Sequence, residues 1–102
     1  MGERQPRDYL STVLHSPLRL AILGSLRHVH NVAFADLQEA LGLTAPELSR
    51  QLRILEDEDI VQVAKARENR RVRTYVRLSD TGRARFEEYL THLRRVVQED
   101  DA

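Results

Sequence analysis

The sequence predicts a mainly α-helical fold that carries one β-hairpin. Three observations lead to this prediction. Apolar residues recur at helical spacing over most of the chain, the period changes to strict alternation over about residues 60–78, and helical spacing returns after Ser79. The chain has 102 residues, which suits one domain with one core, so we expect a single domain over residues 1–102.

Two helices are predicted in the first 30 residues. Apolar positions indicate a short helix over about residues 7–15. Ser16 and Pro17 then form a typical helix start, with a capping hydroxyl followed by a first-turn proline. The apolar stripe of the second helix runs from Leu18 to Val29. We expect a short apolar segment at residues 32–34 to pair as a small strand.

The next segment, about residues 35–57, predicts two helices joined by a tight turn. Gly42 lies where a helix commonly ends in a left-handed residue. Thr44 and Glu47 have the spacing of a capping box, which starts the next helix at about residue 45. One side of that helix carries Leu48, Leu52 and Leu55, and the other carries Ser49, Arg50 and Arg53.

Positive charge is concentrated in the predicted hairpin, although the chain as a whole has a net charge of zero. Residues 60–79 contain six basic residues and a single acidic one, Glu68, and much of this charge lies in the segment "RENRRVRTYVR". The alternation places Val72, Thr74, Val76 and Leu78 on one face and Arg73, Tyr75 and Arg77 on the other, with the tip near Glu68-Asn69. Because an isolated two-stranded ribbon is only marginally stable, we expect one face to pack on the helices and the tip to project.

A helix-turn-helix followed by a basic hairpin is typical of winged-helix DNA-binding proteins. The second helix of such a motif enters the major groove, and the hairpin, or wing, contacts flanking phosphates or the minor groove. We therefore predict a helix-turn-helix at about residues 35–57 and a wing at about residues 60–78.

Three stretches, "LHSPLRLAIL", "FADLQEALGLTAPELSRQLRILEDEDIV" and "RTYVRLSDTGR", resemble the small winged-helix regulators related to the MarR and ArsR groups. The resemblance implies a homodimer that binds double-stranded DNA at a pseudo-palindromic operator, usually as a repressor. Matched by position, it implies DNA contacts from the turn and recognition helix, from the wing and from the start of the second helix. These residues are Thr44, Glu47, Ser49, Arg50, Gln51 and Arg53, then Arg67, Asn69, Arg70, Arg71 and Arg73, and Arg19.

Two positions depart from the pattern of these groups. Related sequences often have Gly-Asn where this chain has Pro46-Glu47. Glu47 would approach phosphates unless it is held as a cap or accepts from cytosine N4. Related sequences also often have glycine where this chain has Asp59, and aspartate tolerates the left-handed conformation better than most residues.

The final predicted helix, about residues 80–98, has a wide apolar stripe. This stripe could simply cover the core of one subunit. We favour a dimer interface formed with the first helix, about residues 7–15, because a domain this small leaves little else to bury the stripe against. The predicted interface consists of Leu10, Leu14, Phe86, Leu90, Leu93 and Val97.

Other functions find less support in the sequence. The chain contains no cysteine, and its four histidines, including His28 and His30, lack neighbouring acidic or thiolate ligands, so we predict neither a metal nor a cofactor. No phosphate-binding loop or catalytic constellation indicates an enzyme. No apolar run approaches a membrane span or signal peptide, and we expect a cytoplasmic protein. The alternative is a winged-helix module that binds a protein instead of DNA, and the sequence indicates no particular small-molecule effector.

Overall fold

The computed structural model describes the backbone of residues 13–101 and the side chains of residues 13–98. The regular elements follow the order helix, strand, helix, helix, strand, strand, helix. They are α1 (Pro17–Leu26), β1 (Val32–Ala33), α2 (Phe34–Leu41), α3 (Ala45–Asp57), β2 (Val61–Glu68), β3 (Arg71–Leu78) and α4 (Asp80–Asp101). Over the described residues this is the predicted winged helix, four helices with a small antiparallel sheet that includes the hairpin. The predicted first helix, about residues 7–15, lies largely outside the described residues.

The local signals at the helix ends act as predicted. The Ser16 hydroxyl accepts a hydrogen bond from the Arg19 backbone N–H at 3.3 Å and caps α1. The helix α2 ends at Gly42, which is left-handed with φ 65°, and the Leu43 N–H then reaches back to the Gln38 carbonyl at 3.1 Å. This pair of features is a Schellman-type ending, and it turns the chain sharply into α3.

The three strands form one antiparallel sheet in the order β1-β3-β2. In the hairpin, Val61 lies opposite Leu78 and Val63 opposite Val76, while the two-residue β1 joins the other edge of β3 through Val32 and Val76. The sheet is therefore anchored at its base, where both neighbours of β3 are present, and only two strands continue to the tip.

The core is made of aliphatic side chains from all four helices and the base of the sheet, with Phe86 and Tyr89 from α4. Two residues expected at a dimer interface belong to this core. Leu14 is completely buried and Phe86 is 3% exposed within one subunit, which corrects the expectation that their side chains face a partner. The reason is that both side chains pack into the hydrophobic core of the same subunit, Leu14 from the start of the described chain and Phe86 from α4.

Two further predictions about the elements are wrong in detail. The helix α1 ends at Leu26, and Val29 is 40% exposed in the loop that follows instead of continuing the apolar stripe. Alternation places Val72 on the inner face of the hairpin, yet it is 63% exposed. Its strand extends beyond the body at that point, so no helix covers it.

A tight joint connects the base of the wing to α4. Asp59 adopts a left-handed conformation with φ 58°, as predicted, and turns the chain from α3 into Ile60. The Ile60 carbonyl accepts the Ser79 backbone N–H at 3.0 Å, and the Ser79 hydroxyl accepts from the Gly82 N–H at 2.8 Å. A Cβ atom at Gly82 would lie 1.9 Å from the Ile60 oxygen, so only glycine allows α4 to begin this close to the strand.

Candidate nucleic-acid interface

The amino-terminal end of α3 is capped from within the turn. The Thr44 hydroxyl accepts from the Glu47 backbone N–H at 3.3 Å and donates to the Glu47 carboxylate at 2.9 Å. This arrangement holds the Glu47 carboxylate over the positive end of the helix dipole, where an anion is stabilised. Thr44, Pro46 and Glu47 are all exposed at this end of the helix.

The helix α3 is sharply divided between an inner and an outer face. Its inner face is buried through Leu48, Leu52 and Leu55. Ser49, Arg50 and Arg53 are exposed, as their spacing predicts, and Gln51 is half-buried at the boundary that faces α1. The exposed face therefore carries two guanidinium groups and a hydroxyl, all of them hydrogen-bond donors that suit phosphates and base edges.

Arg19 lies beside this boundary, and its guanidinium already makes hydrogen bonds within the subunit. Its Nε donates to the Val13 carbonyl at 2.6 Å, and its Nη1 donates to the Gln51 Oε1 at 3.2 Å. The side chain is half-buried in the first turn of α1. Two predicted DNA-contacting residues, Arg19 and Gln51, are thus brought together although 32 positions separate them in the sequence.

The strand register places the wing residues on two distinct faces. Lys65 pairs with Thr74 and Arg67 with Val72 on the inner face, which is the face that packs on the body at the base of the hairpin. Ala66 pairs with Arg73 on the outer face. Two wing residues that were predicted to contact DNA therefore lie on opposite faces of the hairpin. Arg67 is on the face that is directed towards α3, and Arg73 is on the other face.

Arg73 belongs to a small polar cluster on the outer face. The Tyr75 hydroxyl donates to the Glu68 carboxylate at 2.6 Å, Arg73 lies 3.9 Å from the same carboxylate, and its guanidinium sits 5.8 Å from the centre of the Tyr75 ring. The hydrogen bond to Glu68, together with desolvation, raises the pKa of Tyr75 above its ordinary value. This cluster partly neutralises Arg73.

The tip of the wing is a two-residue turn. Asn69 and Arg70 both have positive φ, 47° and 68°, which is the pattern of a type I′ hairpin turn. The turn lies one residue further along than predicted, and β3 then begins at Arg71. Arg67, Arg70 and Arg71 are exposed around this tip.

A groove runs between α3 and the inner face of the wing. It is lined by Phe34, Ser49, Leu52, Arg53, Glu56, Val63, Lys65 and Thr74. Lys65 and Thr74 were missed as site residues by sequence reasoning. The signal was available, because alternation puts both on the same face as Val63, but only the fold reveals that this face looks across at α3.

The carboxyl-terminal helix exposes apolar side chains beyond the body. Leu93 is 37% exposed, Val96 41% and Val97 59%, whereas Leu90 is half-buried against the core. Val96 was not among the predicted interface residues. Leu10, the remaining predicted interface residue, lies outside the described residues.

Ion pairing fixes the direction in which α4 leaves the body. The Arg27 guanidinium donates to both Glu87 carboxylate oxygens, at 2.7 and 2.8 Å. Arg83 donates to the Arg27 carbonyl at the end of α1. The hydrogen bonds from Arg27 lower the pKa of Glu87, and the ion pair raises the pKa of Arg27.

The described part of the chain contains neither a cluster of metal ligands nor a helix that could span a membrane. Over residues 13–98, no three histidine or carboxylate side chains are grouped so that they could hold a metal ion, and His28 and His30 are exposed. No described helix is both long enough and apolar enough to cross a membrane.

Comparison with known proteins identifies the family of this chain. A family model for the winged helix DNA-binding domain matches residues 18–97, which is most of the chain. The chain belongs to this winged-helix DNA-binding family. No curated protein matches the sequence.

Several solved structures have the same winged-helix fold. A transcriptional regulator homologue from Pyrococcus horikoshii OT3 is 30% identical, with a TM-score of 0.85 over 90% of this chain and 91% of that one. A protein described as a MarR-family transcriptional regulator, from Enterococcus faecalis V583, is 18% identical, with a TM-score of 0.78 over 99% and 93% of the two chains. MepR of S. aureus, solved as a complex with DNA, is 21% identical, with a TM-score of 0.73 over 89% and 77%.

These comparisons confirm the predicted family. The chain is a winged-helix DNA-binding protein, and its relative at 30% identity is described as a transcriptional regulator homologue.

Proposed function

We propose that the protein is a homodimeric, cytoplasmic repressor that binds a specific sequence in double-stranded DNA. In this proposal α3 enters the major groove, and the wing holds the flanking backbone or the adjacent minor groove. The observation that carries the proposal is the groove between α3 and the wing, because basic side chains line both of its walls, Arg53 on one and Lys65 on the other.

Sequence reading is assigned to the exposed face of α3. Arg50 and Arg53 can each donate two parallel hydrogen bonds to guanine O6 and N7, and Ser49 can bond to a base or a phosphate. The bond from Thr44 holds the Glu47 carboxylate at the positive end of the helix dipole, which offsets part of its negative charge. Glu47 can still accept from the amino group of a cytosine, as its position at the start of the helix allows.

Backbone contact is assigned to the inner face and tip of the wing. Arg67 continues the line of Lys65 along the inner face, and Arg70 and Arg71 surround the tip. Arg70 occupies a left-handed position at which glycine is favoured, and such a conformation costs an arginine on the order of 1 kcal/mol. A charged residue kept at a strained, exposed position supports a function at the tip rather than a role in stability.

Dimer formation is assigned to α4. The exposed side chains Leu93, Val96 and Val97 form one apolar stripe at helical spacing on the part of α4 that extends beyond the body. Packing of this stripe against its two-fold mate would bury it and present two copies of α3 to one face of DNA. Half-sites would then lie about one helical turn apart, ~34–36 Å. A dimer on such an operator would repress by blocking polymerase.

The first experiment is selection of the purified protein on a random pool of duplex DNA at about 150 mM salt. The proposal expects enrichment of an inverted repeat. Binding without enrichment would leave only electrostatic contact. Failure of folded protein to bind any duplex would refute DNA recognition and favour the alternative, a winged helix that binds a protein partner.

Substitutions of single arginines and arginine pairs then distinguish the contribution of the wing from that of α3. The change Arg70→Ala with Arg71→Ala should weaken binding to all duplexes similarly and lower the slope of log K against log salt by about 2, because two phosphate contacts are lost. Arg50→Ala should instead relax discrimination at particular base pairs. Arg77→Ala is the matched control, since Arg77 is exposed at the base of the outer face, opposite Gln62. An equal effect of the Arg77 change would contradict the assignment of backbone contact to the tip of the wing.

A further inference from the structure

The contact between Arg19 and Gln51 determines which end of the Gln51 side chain is free. A guanidinium group can only donate hydrogen bonds, so the amide atom that faces it at 3.2 Å must be the oxygen. The amide nitrogen, with its two N–H groups, therefore points elsewhere. Gln51 follows Arg50 on α3 and is one helical turn from Glu47, so its free end lies beside the exposed face.

Arg19 is itself held firmly enough to orient its partner. Its Nε bonds to the Val13 carbonyl at 2.6 Å, and its own backbone N–H is bound by the capping hydroxyl of Ser16. The side chain is half-buried, which limits the rotamers that it can adopt. The Ser16 bond thus holds the backbone of Arg19, the Val13 bond holds its guanidinium, and the guanidinium binds the amide oxygen of Gln51.

We propose that Arg19 is a positioning residue that makes Gln51 a hydrogen-bond donor to DNA. This inference rests on the proposed function of α3 as the recognition helix. A donor in the major groove matches guanine, whose N7 and O6 both accept, or thymine, through O4, whereas adenine offers it only N7, beside an amino group that donates. To recognise adenine, a glutamine uses both atoms of its side-chain amide, the oxygen for N6 and the nitrogen for N7. In this protein Arg19 already occupies the amide oxygen of Gln51, so adenine would have to compete with Arg19 for it. At the base pair that Gln51 contacts, the protein should therefore prefer a base that accepts a hydrogen bond from the amide nitrogen. It should not favour adenine through a contact with both amide atoms.

The rival assignment for Arg19 is a direct phosphate contact, which its position in the family would imply. The two assignments differ in their consequences. A phosphate contact strengthens binding to every sequence and increases the dependence on salt. A positioning residue changes the base preference at one position of each half-site and leaves the salt slope unchanged.

The test compares base preferences after selection on random duplex DNA for the parent protein and two variants. Gln51→Glu keeps an oxygen for Arg19, as a charge-assisted bond, but replaces the free amide nitrogen by an acceptor. The preferred base at one position of each half-site should change from guanine or thymine to cytosine, whose amino group can donate to a carboxylate. The expected change in discrimination at that position is about 5- to 150-fold.

The second variant, Arg19→Met, removes the guanidinium but keeps a long side chain. Both atoms of the Gln51 amide are then free, so adenine should be enriched at the same position of the half-site. Base preferences at the other positions should not change. If this variant fails to fold, Gln51→Glu still tests the proposal, because it leaves Arg19 and its bond to Val13 in place. Thermal unfolding of each variant identifies a folding failure.

Two outcomes would overturn the inference. If Arg19→Met weakens binding to all duplexes equally and lowers the salt slope by about 1, Arg19 contacts phosphate. If Gln51→Glu keeps the base preferences of the parent, Gln51 does not read DNA. Failure of the parent protein to enrich any sequence would instead refute the proposed function itself, and the two kinds of failure are thus distinguishable.

Discussion

The glycine at the joint between the wing and α4 offers the sharpest test of the packing. The change Gly82→Ala adds one methyl group 1.9 Å from the Ile60 oxygen and 2.6 Å from the Ile60 carbonyl carbon. Both atoms belong to the backbone of a completely buried residue, so no side-chain rotation can relieve the contact. Either the start of α4 or the start of β2 must move by about 1 Å, since close-packed interiors have no space to absorb a clash.

The cost can be worked out from the bonds at this joint. Overpacking of a buried site costs about 1–3 kcal/mol. Displacement also weakens the bonds that the Ile60 carbonyl accepts from the Ser79 N–H at 3.0 Å and the Ser79 hydroxyl at 3.2 Å. Each such bond contributes about 1 kcal/mol. We expect Gly82→Ala to lower the free energy of unfolding by about 3–5 kcal/mol, and Tm by about 15–30 °C.

A matched control is available in α1. Gly24 is exposed within the helix, and an added Cβ would meet no atom within 4 Å. Gly24→Ala should stabilise the protein by about 0.5–1 kcal/mol, because alanine loses less conformational freedom than glycine in a helix. Circular dichroism during thermal and urea unfolding, at one protein concentration, measures both variants. Equal stability of Gly82→Ala and the parent would show that the close approach of α4 to Ile60 does not exist.

Three further predictions concern an ion pair, the wing tip and α4. Glu87 has a lowered pKa when folded because of Arg27, so its contribution to stability is present above the ordinary glutamate pKa and is lost as the pH falls through the lowered value. Urea unfolding between pH 3 and pH 6 should show a weaker acid dependence for Glu87→Gln. Arg70→Gly should raise stability by about 1 kcal/mol while lowering the salt slope of DNA binding by about 1, and unchanged affinity would remove Arg70 from the interface. Leu93→Glu with Val97→Glu should give a folded monomer in sedimentation experiments, and a persistent dimer would place the interface elsewhere.

Local signals predicted the helix-turn-helix well because each acts over a few residues. The bounds of α3 agree with the prediction, since Thr44 caps its start and the left-handed Asp59 follows its end. Gly42 turns the chain as predicted for the same reason. Alternation also assigned Arg73, Tyr75 and Arg77 correctly to one face of the hairpin, because neighbouring side chains of a strand point to opposite faces.

Predictions that depended on what covers a face were less successful. The spacing of Phe86 and Val97 on one stripe does not reveal that Phe86 is 3% exposed and Val97 59%. Val72 has the same alternation as Val76, but only Val76 lies over the body. Periodicity defines a face, whereas burial depends on how far the neighbouring elements extend.

The sequence by itself therefore determined the order of the described elements, the ends of α3 and the concentration of positive charge in the wing. These follow from capping, periodicity and composition, all of which are properties of neighbouring residues. Only the tertiary structure decided that Arg19 binds Gln51 and that Arg27 binds Glu87, 60 positions away. It also decided that residue 82 must be glycine, because a Cβ atom there would collide with the backbone of Ile60. These contacts join residues far apart in the chain, so they exist only after the packed helices and sheet have brought them together.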